Sequence, residues 1–304
     1  MIAKFRGFCV YVIHNNYHTL LKRPVKHFNE ESQRLLAIKS SFNAGDQPLA
    51  SDSKAAQNLN KEVIHHNHLA SEWWDQNGPL KGLHSLNQIR IPFIRDGLVS
   101  RNYTNKKFIG TSKVLEGLDI LEVGCGGGIL TEGLGRLSAN VTAIDLGESL
   151  IQEAVSHIND FSPELKSKVN YKLESIESHS KKNLGKYDAV IISEVIEHID
   201  DKPEFITNCL DALKPGGSIF ITTLNKTAIL WVCGIILAEN VFKLVPEGTH
   251  HWNKIISHRD MQVLLDSLGC QVVVLNGYVY EFWKNSWLWT KNTDFCYAIH
   301  AIKR

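Results

Sequence analysis

Three glycines at alternate positions follow an acid in the stretch EVGCGGG: Glu122, then Gly124, Gly126 and Gly128. Glycine in that density leaves no side chain between a ligand and the backbone. The stretch comes directly after the apolar residues Leu118, Ile120 and Leu121, so it reads as a loop at a strand end. A dinucleotide fingerprint would need G-x-G-x-x-G, with an acid about 20 residues on for the ribose. Here Ile129 occupies the place of the third glycine. Asp145 closes the next apolar stretch, VTAID, where its two carboxylate oxygens can accept both hydroxyls of an adenosine ribose. That arrangement serves NAD or S-adenosylmethionine. The second has no pyrophosphate and so does not call for a helix N-terminus.

A second group lies in SEVIEHID. On a helix, Glu194, Glu197 and His198 would share one face, being at i, i+3 and i+4. Two carboxylates and an imidazole on one face can hold a divalent cation, and oxygen-rich ligation favours Mg²⁺. The plainer reading is a helix start whose acid and histidine cap and pack.

These residues need a frame to hold them. Short apolar runs alternate with helical segments: strands over Leu118–Val123, Asn140–Ile144, Val169–Leu173, Asp188–Ile192 and Ser218–Thr223, with helices around Leu130–Leu137, Ser149–Asn159 and Glu204–Leu213. Such a βαβαβ series implies an α/β fold, a mostly parallel sheet covered on both faces. Ligands of these sheets sit beyond the carboxyl ends of the strands, where the glycine loop falls. Ahead of it, apolar spacing through Val63, Leu69 and Trp73 marks one helix. The spacing through Leu86, Ile89 and Phe93 marks another, and Asn77-Gly78-Pro79 breaks the two. Trp73 and Trp74 are read as core or pocket wall.

The chain has 304 residues and a formal net charge of +1, so no global field argues for nucleic acid. Its six cysteines form no C-x-x-C pair, which gives neither a zinc site nor a disulfide framework. Residues 1–40 carry five Lys or Arg before the first acid, Glu30, with apolar residues interleaved. A basic, acid-poor, amphipathic start reads as a mitochondrial transit peptide. Residues 41–61 are polar with Gly and Pro and read as linker, leaving 62–304 as the main domain. Within it, 227–246 is an insertion, apolar from Ala228 to Ala238 apart from Gly234, and too short for the roughly 20 residues of a membrane span. It is either a core helix or a helix lying on a bilayer, with Trp231 and Phe242 as interface rings; the second is favoured.

The set LEVGCGGG, AIDLG, YDAVIISEVIEHI, LKPGG and ITTLN resembles the class I S-adenosylmethionine-dependent methyltransferases. SEWWDQNGPLKGLHSLNQIR in front and LVPEGTHHW behind resemble, more finely, the ubiquinone biosynthesis O-methyltransferases of mitochondria. The resemblance runs from about Leu69 to the C-terminus. It implies a Rossmann-like, seven-stranded sheet with an antiparallel last strand, its last two strands supplied by CQVVVLNGY and TDFCYAIHAIK. It implies that Arg90, Gly124, Asp145 and Ser193 meet S-adenosylmethionine, with Arg90 at the methionine carboxylate. It tips Glu194, Glu197 and His198 towards Mg²⁺ and makes His250 the candidate base. Where many relatives have G-T-H-D, this chain has Gly248-Thr249-His250-His251, which puts any role of that acid in doubt. The implied substrate is a membrane-held polyprenyl catechol or quinol, methylated at the matrix side of the inner mitochondrial membrane beside other ubiquinone-biosynthesis proteins. The alternatives are a non-catalytic scaffold of that assembly and a methylase of another small phenol.

Overall fold

The computed structural model describes residues 72–227 and 254–304. The expected transit peptide, linker, insertion after Thr227 and His250 lie outside the described residues, as does the first helix apart from its end at Trp73, which stands in a turn and not in a helix.

Eight strands form one sheet in the order β3-β2-β1-β4-β5-β8-β6-β7. The first five, β1 (Asp119–Val123), β2 (Asn140–Asp145), β3 (Val169–Leu173), β4 (Tyr187–Ser193) and β5 (Leu213–Leu224), are parallel. Strands β6 (Cys270–Glu281), β7 (Ser286–Thr290) and β8 (Cys296–Lys303) are antiparallel to their neighbours. Among the described residues the sheet therefore has eight strands where the resemblance implied seven. The added one is β7, SWLWT, an edge strand whose Trp287 indole donates to the Gly82 carbonyl at 2.8 Å and whose Trp289 meets Phe93 at 5.5 Å. Those two rings, at i and i+2, use the period of two that puts them on one face of a strand.

Near-continuous apolar strands such as β4, in which Ala189, Val190, Ile191 and Ile192 are all buried, are what a parallel sheet covered on both sides requires. One face packs under α1 (Lys81–Ser100) and α2 (Ile129–Arg136), through Ile94, Leu98, Leu130 and Leu134 against Ile120, Ile191 and Phe220. The other packs under α5 (Lys202–Ala212) and α6 (His258–Ser267), through Ile206, Leu210, Met261 and Leu265 against Val190, Ile192 and Ile221. Helix α3 (Glu148–Phe161) buries Leu150, Ile151, Ala154 and Ile158, an amphipathic stripe. A short helix, α4 (Ile176–Lys182), has Ser175 as its N-cap and was not marked by periodicity.

Candidate active site

A cavity of about 200 Å³ opens at the carboxyl ends of β1, β2 and β4 and is lined by Trp73, Arg90, Glu122, Gly124, Asp145, Ser193 and Glu194, among others. The four residues expected at a cofactor therefore converge. The strands deliver three of them by register, since Val123 lies opposite Ile144 and Ile192, so that Gly124, Asp145 and Ser193 follow side by side. The carboxylate of Asp145 is already at work: its Oδ2 accepts the Gly126 N–H at 2.8 Å and its Oδ1 accepts the Gly147 N–H at 2.8 Å. Burial pushes its pKa up, and the backbone donors oppose the shift.

Arg90 is a buried cation, not a surface helix charge. Its Nε donates to Asn87 Oδ1 at 2.6 Å, Nη1 to Ser193 Oγ at 3.0 Å and Nη2 to the Leu83 carbonyl at 3.4 Å. Ser193 in turn shares a 2.8 Å hydrogen bond with Thr222 Oγ1. Burial lowers the guanidinium pKa, and Glu122 and Glu194 push it back up. A guanidinium has five N–H groups, so three fix its orientation and two have no partner among the described residues.

Sequence reasoning left Glu122 out of the site, though it stands two residues before the first glycine on a buried strand. It is buried, accepts the Thr131 hydroxyl at 2.6 Å, and burial raises its pKa to about 7. Because the folded state holds this proton more tightly than the unfolded chain, the contribution of Glu122 to stability is fully present below about pH 4.5 and is lost as pH rises through about 7. Glu122→Gln should remove that loss, gaining on the order of 2–3 kcal/mol at pH 8 and nothing at pH 4. Urea melts of both proteins at the two pH values check this; equal gains at both would refute it.

The described Trp73–Trp74 step lies over the glycine loop. Trp73 is buried, and its ring covers Gly126 and Gly127 so closely that a Cβ on either would stand within 2.4 Å of it. Trp74 donates its indole N–H to the Gly127 carbonyl at 3.0 Å and stacks on His157 at 3.4 Å. Trp73 is thus pocket wall, as the sequence allowed.

The acid–histidine group requires a correction. Glu194 has a left-handed backbone, φ 58°, and only Ile196–His198 form a short 3₁₀ turn, so the three side chains do not lie on one helix face. Glu194 accepts the Tyr278 hydroxyl at 2.6 Å, and Glu197, buried, accepts the Thr223 hydroxyl at 2.7 Å. Burial, and then the charge of Glu194, raises the Glu197 pKa, while His198 opposes the shift. Among the described residues, no group of three His, Cys, Asp or Glu is gathered closely enough to hold a metal ion. Tyr278 was missed because nothing near it in sequence marks it. It reaches Glu194 only through the sheet order.

A sheet of this order, with a glycine loop after β1 and an acid closing β2, is the fold of the class I S-adenosylmethionine-dependent methyltransferases. The family model described as Methyltransferase domain matches residues 98–275. The mitochondrial ubiquinone biosynthesis O-methyltransferase of Rattus norvegicus is 42% identical over 243 residues, covering 80% of this chain and 69% of that protein. The chain belongs to the ubiquinone biosynthesis O-methyltransferase family. The Homo sapiens member is 41% identical over 235 residues, 77% of this chain and 62% of that one. The ubiquinone biosynthesis O-methyltransferase of Xanthomonas euvesicatoria, whose name carries no mitochondrial label, is 35% identical over 235 residues, 77% of this chain and 90% of its own length.

Proposed function

We propose that this chain transfers a methyl group from S-adenosylmethionine to a phenolic hydroxyl of a membrane-held polyprenyl catechol in ubiquinone biosynthesis. The observation that carries this reading is the convergence of buried Arg90 and Ser193 with half-buried Gly124 and Asp145 on one cavity, in a chain aligned over most of its length with O-methyltransferases of that pathway.

The residues fit the cofactor. The two N–H groups of Arg90 left over suit a carboxylate, for which the guanidinium fork is shaped. Asp145 has acceptor capacity beyond its two backbone donors, since each carboxylate oxygen carries two lone pairs. The bare backbone at Gly124 and Gly126, both at positive φ, admits a ligand edge that a side chain would block. When bound, S-adenosylmethionine supplies an electrophilic methyl group on a sulfonium. The chain's part is to hold that group, exclude water and bring the phenolate in line. An ordinary phenol, with a pKa near ~10, is mostly protonated at neutral pH, so a base is needed. His250 remains our candidate.

A divalent cation on Glu194, Glu197 and His198 is a second reading, favoured by the repulsion between the two carboxylates, which a cation would relieve. The donors suit Mg²⁺ in chemistry and charge but are not gathered as a ligand set, so no step here depends on the ion. The basic start of the chain supports import into mitochondria, and the substrate class supports work on the matrix face of the inner membrane beside other enzymes of the pathway.

The test is methylation of a short-chain demethylated quinol by purified protein. Turnover is expected, and its absence under reducing conditions with intact cofactor binding would refute the assigned reaction. Excess chelator decides the ion. Activity lost and restored by Mg²⁺, with Glu194→Gln and His198→Ala inactive but still binding cofactor, would support it. Full activity in chelator would remove it.

A further inference from the structure

We propose that the tip of the β6–β7 hairpin is a membrane-docking surface that seats the mouth of the cofactor cavity on a lipid bilayer. Phe282 and Trp283 stand at that tip, 63% and 56% exposed, with Leu288 and Trp289 of β7 exposed at 47% and 40%. The two tip rings meet edge to face at 4.9 Å, so they form one apolar knob. Large aromatic side chains left in water are the informative exception on a protein surface. Tryptophan in particular belongs at the boundary between headgroups and hydrocarbon.

The topology aims this knob. β6 is antiparallel to β8, which is antiparallel to β5, so β6 runs in the direction of the parallel strands and ends at their carboxyl edge. Tyr278 and Leu224 both lie opposite Cys296, at the level of the cavity, and the Tyr278 hydroxyl bonds Glu194 in its wall. Phe282 is four residues further along the same strand direction, roughly 14 Å at the rise of a strand. The rings therefore project past the sheet on the side where the cavity opens.

The tip is built to hold its shape. Lys284 N–H donates to the Glu281 carbonyl at 3.0 Å, and Asn285 takes the left-handed conformation, φ 47°, that this residue type tolerates. The Asn285 side chain accepts the hydroxyls of Tyr280 at 2.7 Å and Ser85 at 3.0 Å, tying the turn to α1. The turn that presents the rings is therefore fixed before insertion. The four exposed side chains offer roughly half of the ~800 Å² per partner that a stable protein interface buries, which favours a bilayer over a second protein. From Glu281 to Lys291 the stretch carries one acid and two lysines; Lys284 pairs with Glu281 at 3.1 Å, so the stretch keeps a net charge of one towards anionic headgroups.

The proposal rests on a membrane-held substrate, and the experiment separates the two. Full-length protein is sedimented with vesicles of phosphatidylcholine and phosphatidylglycerol, alongside Phe282→Ser/Trp283→Ser and, separately, Lys284→Glu. The double variant should bind about tenfold less or weaker still, with unchanged melting, unchanged S-adenosylhomocysteine binding and unchanged turnover of a soluble quinol. Lys284→Glu should weaken binding only to the anionic vesicles. Equal binding by the double variant would overturn the proposal, as would a wild-type protein that ignores vesicles. A fall in oligomeric state with vesicle binding intact would overturn it in favour of self-association. Vesicle binding lost in the double variant, with no quinol methylated by any form, would uphold the surface and overturn the reaction.

Discussion

Asp145→Ala is expected to abolish measurable cofactor binding while leaving the protein folded. On the proposed reading the carboxylate accepts both ribose hydroxyls, and hydrogen bonds to a charged group are worth about 1.5–3 kcal/mol each. Losing two lowers affinity by roughly 10²–10⁴-fold. The fold pays less for two opposed reasons. Alanine leaves the Gly126 and Gly147 N–H groups, each now 2.8 Å from a carboxylate oxygen, to find water in an open cavity. It also removes a buried acid whose ionised form burial disfavours. The net stability change is expected to be about 1 kcal/mol, a few degrees in Tm. Asp145→Asn should fall between, since its amide keeps one oxygen acceptor but no charge. Calorimetry with S-adenosylhomocysteine reads the affinity and a thermal melt reads the fold. Wild-type affinity in the alanine variant would remove Asp145 from the cofactor site.

The sequence disclosed most of this pocket because its residues obey local rules. Gly124, Asp145 and Ser193 each follow directly on an apolar strand, and parallel register brings strand ends together without further information. Arg90 was reached through the family resemblance, since a cation in an amphipathic helix carries no sign of its own burial. The error at Glu194 has a physical cause: spacing of three and four means a shared face only where the backbone is helical, and φ 58° at Glu194 precludes that. Tyr278 and β7 stayed hidden for a different reason. Their partners, Glu194 and α1, lie 84 residues away for Tyr278 and, for Trp287 with Gly82, 205 residues away. No window of sequence spans such pairs. β7 also offers only five residues, two of them tryptophans that would equally suit a loop.

Gly126→Ala should be a damaging single methyl group in the glycine loop, and the reason divides into two measurable parts. The residue sits at φ +54°, a left-handed conformation that costs an alanine about 1–2 kcal/mol. The new Cβ would also stand 2.2 Å from Cζ2 and 2.8 Å from Cη2 of Trp73, a contact no real structure tolerates. Relieving it means moving a buried ring that lines the cavity, and overpacking of this kind costs about 1–3 kcal/mol more. The variant should therefore lose roughly 2–5 kcal/mol and bind cofactor poorly. Trp73→Ala alone should cost about 3–5 kcal/mol, as burying a large ring and then deleting it does. In the double variant the clash disappears while the backbone cost stays, so the two losses should fall short of their sum by about 1–3 kcal/mol. Denaturant melts of the four proteins close this cycle. Strict additivity would mean that Trp73 does not rest on the glycine loop, and the cavity wall drawn here would have to be redrawn without it.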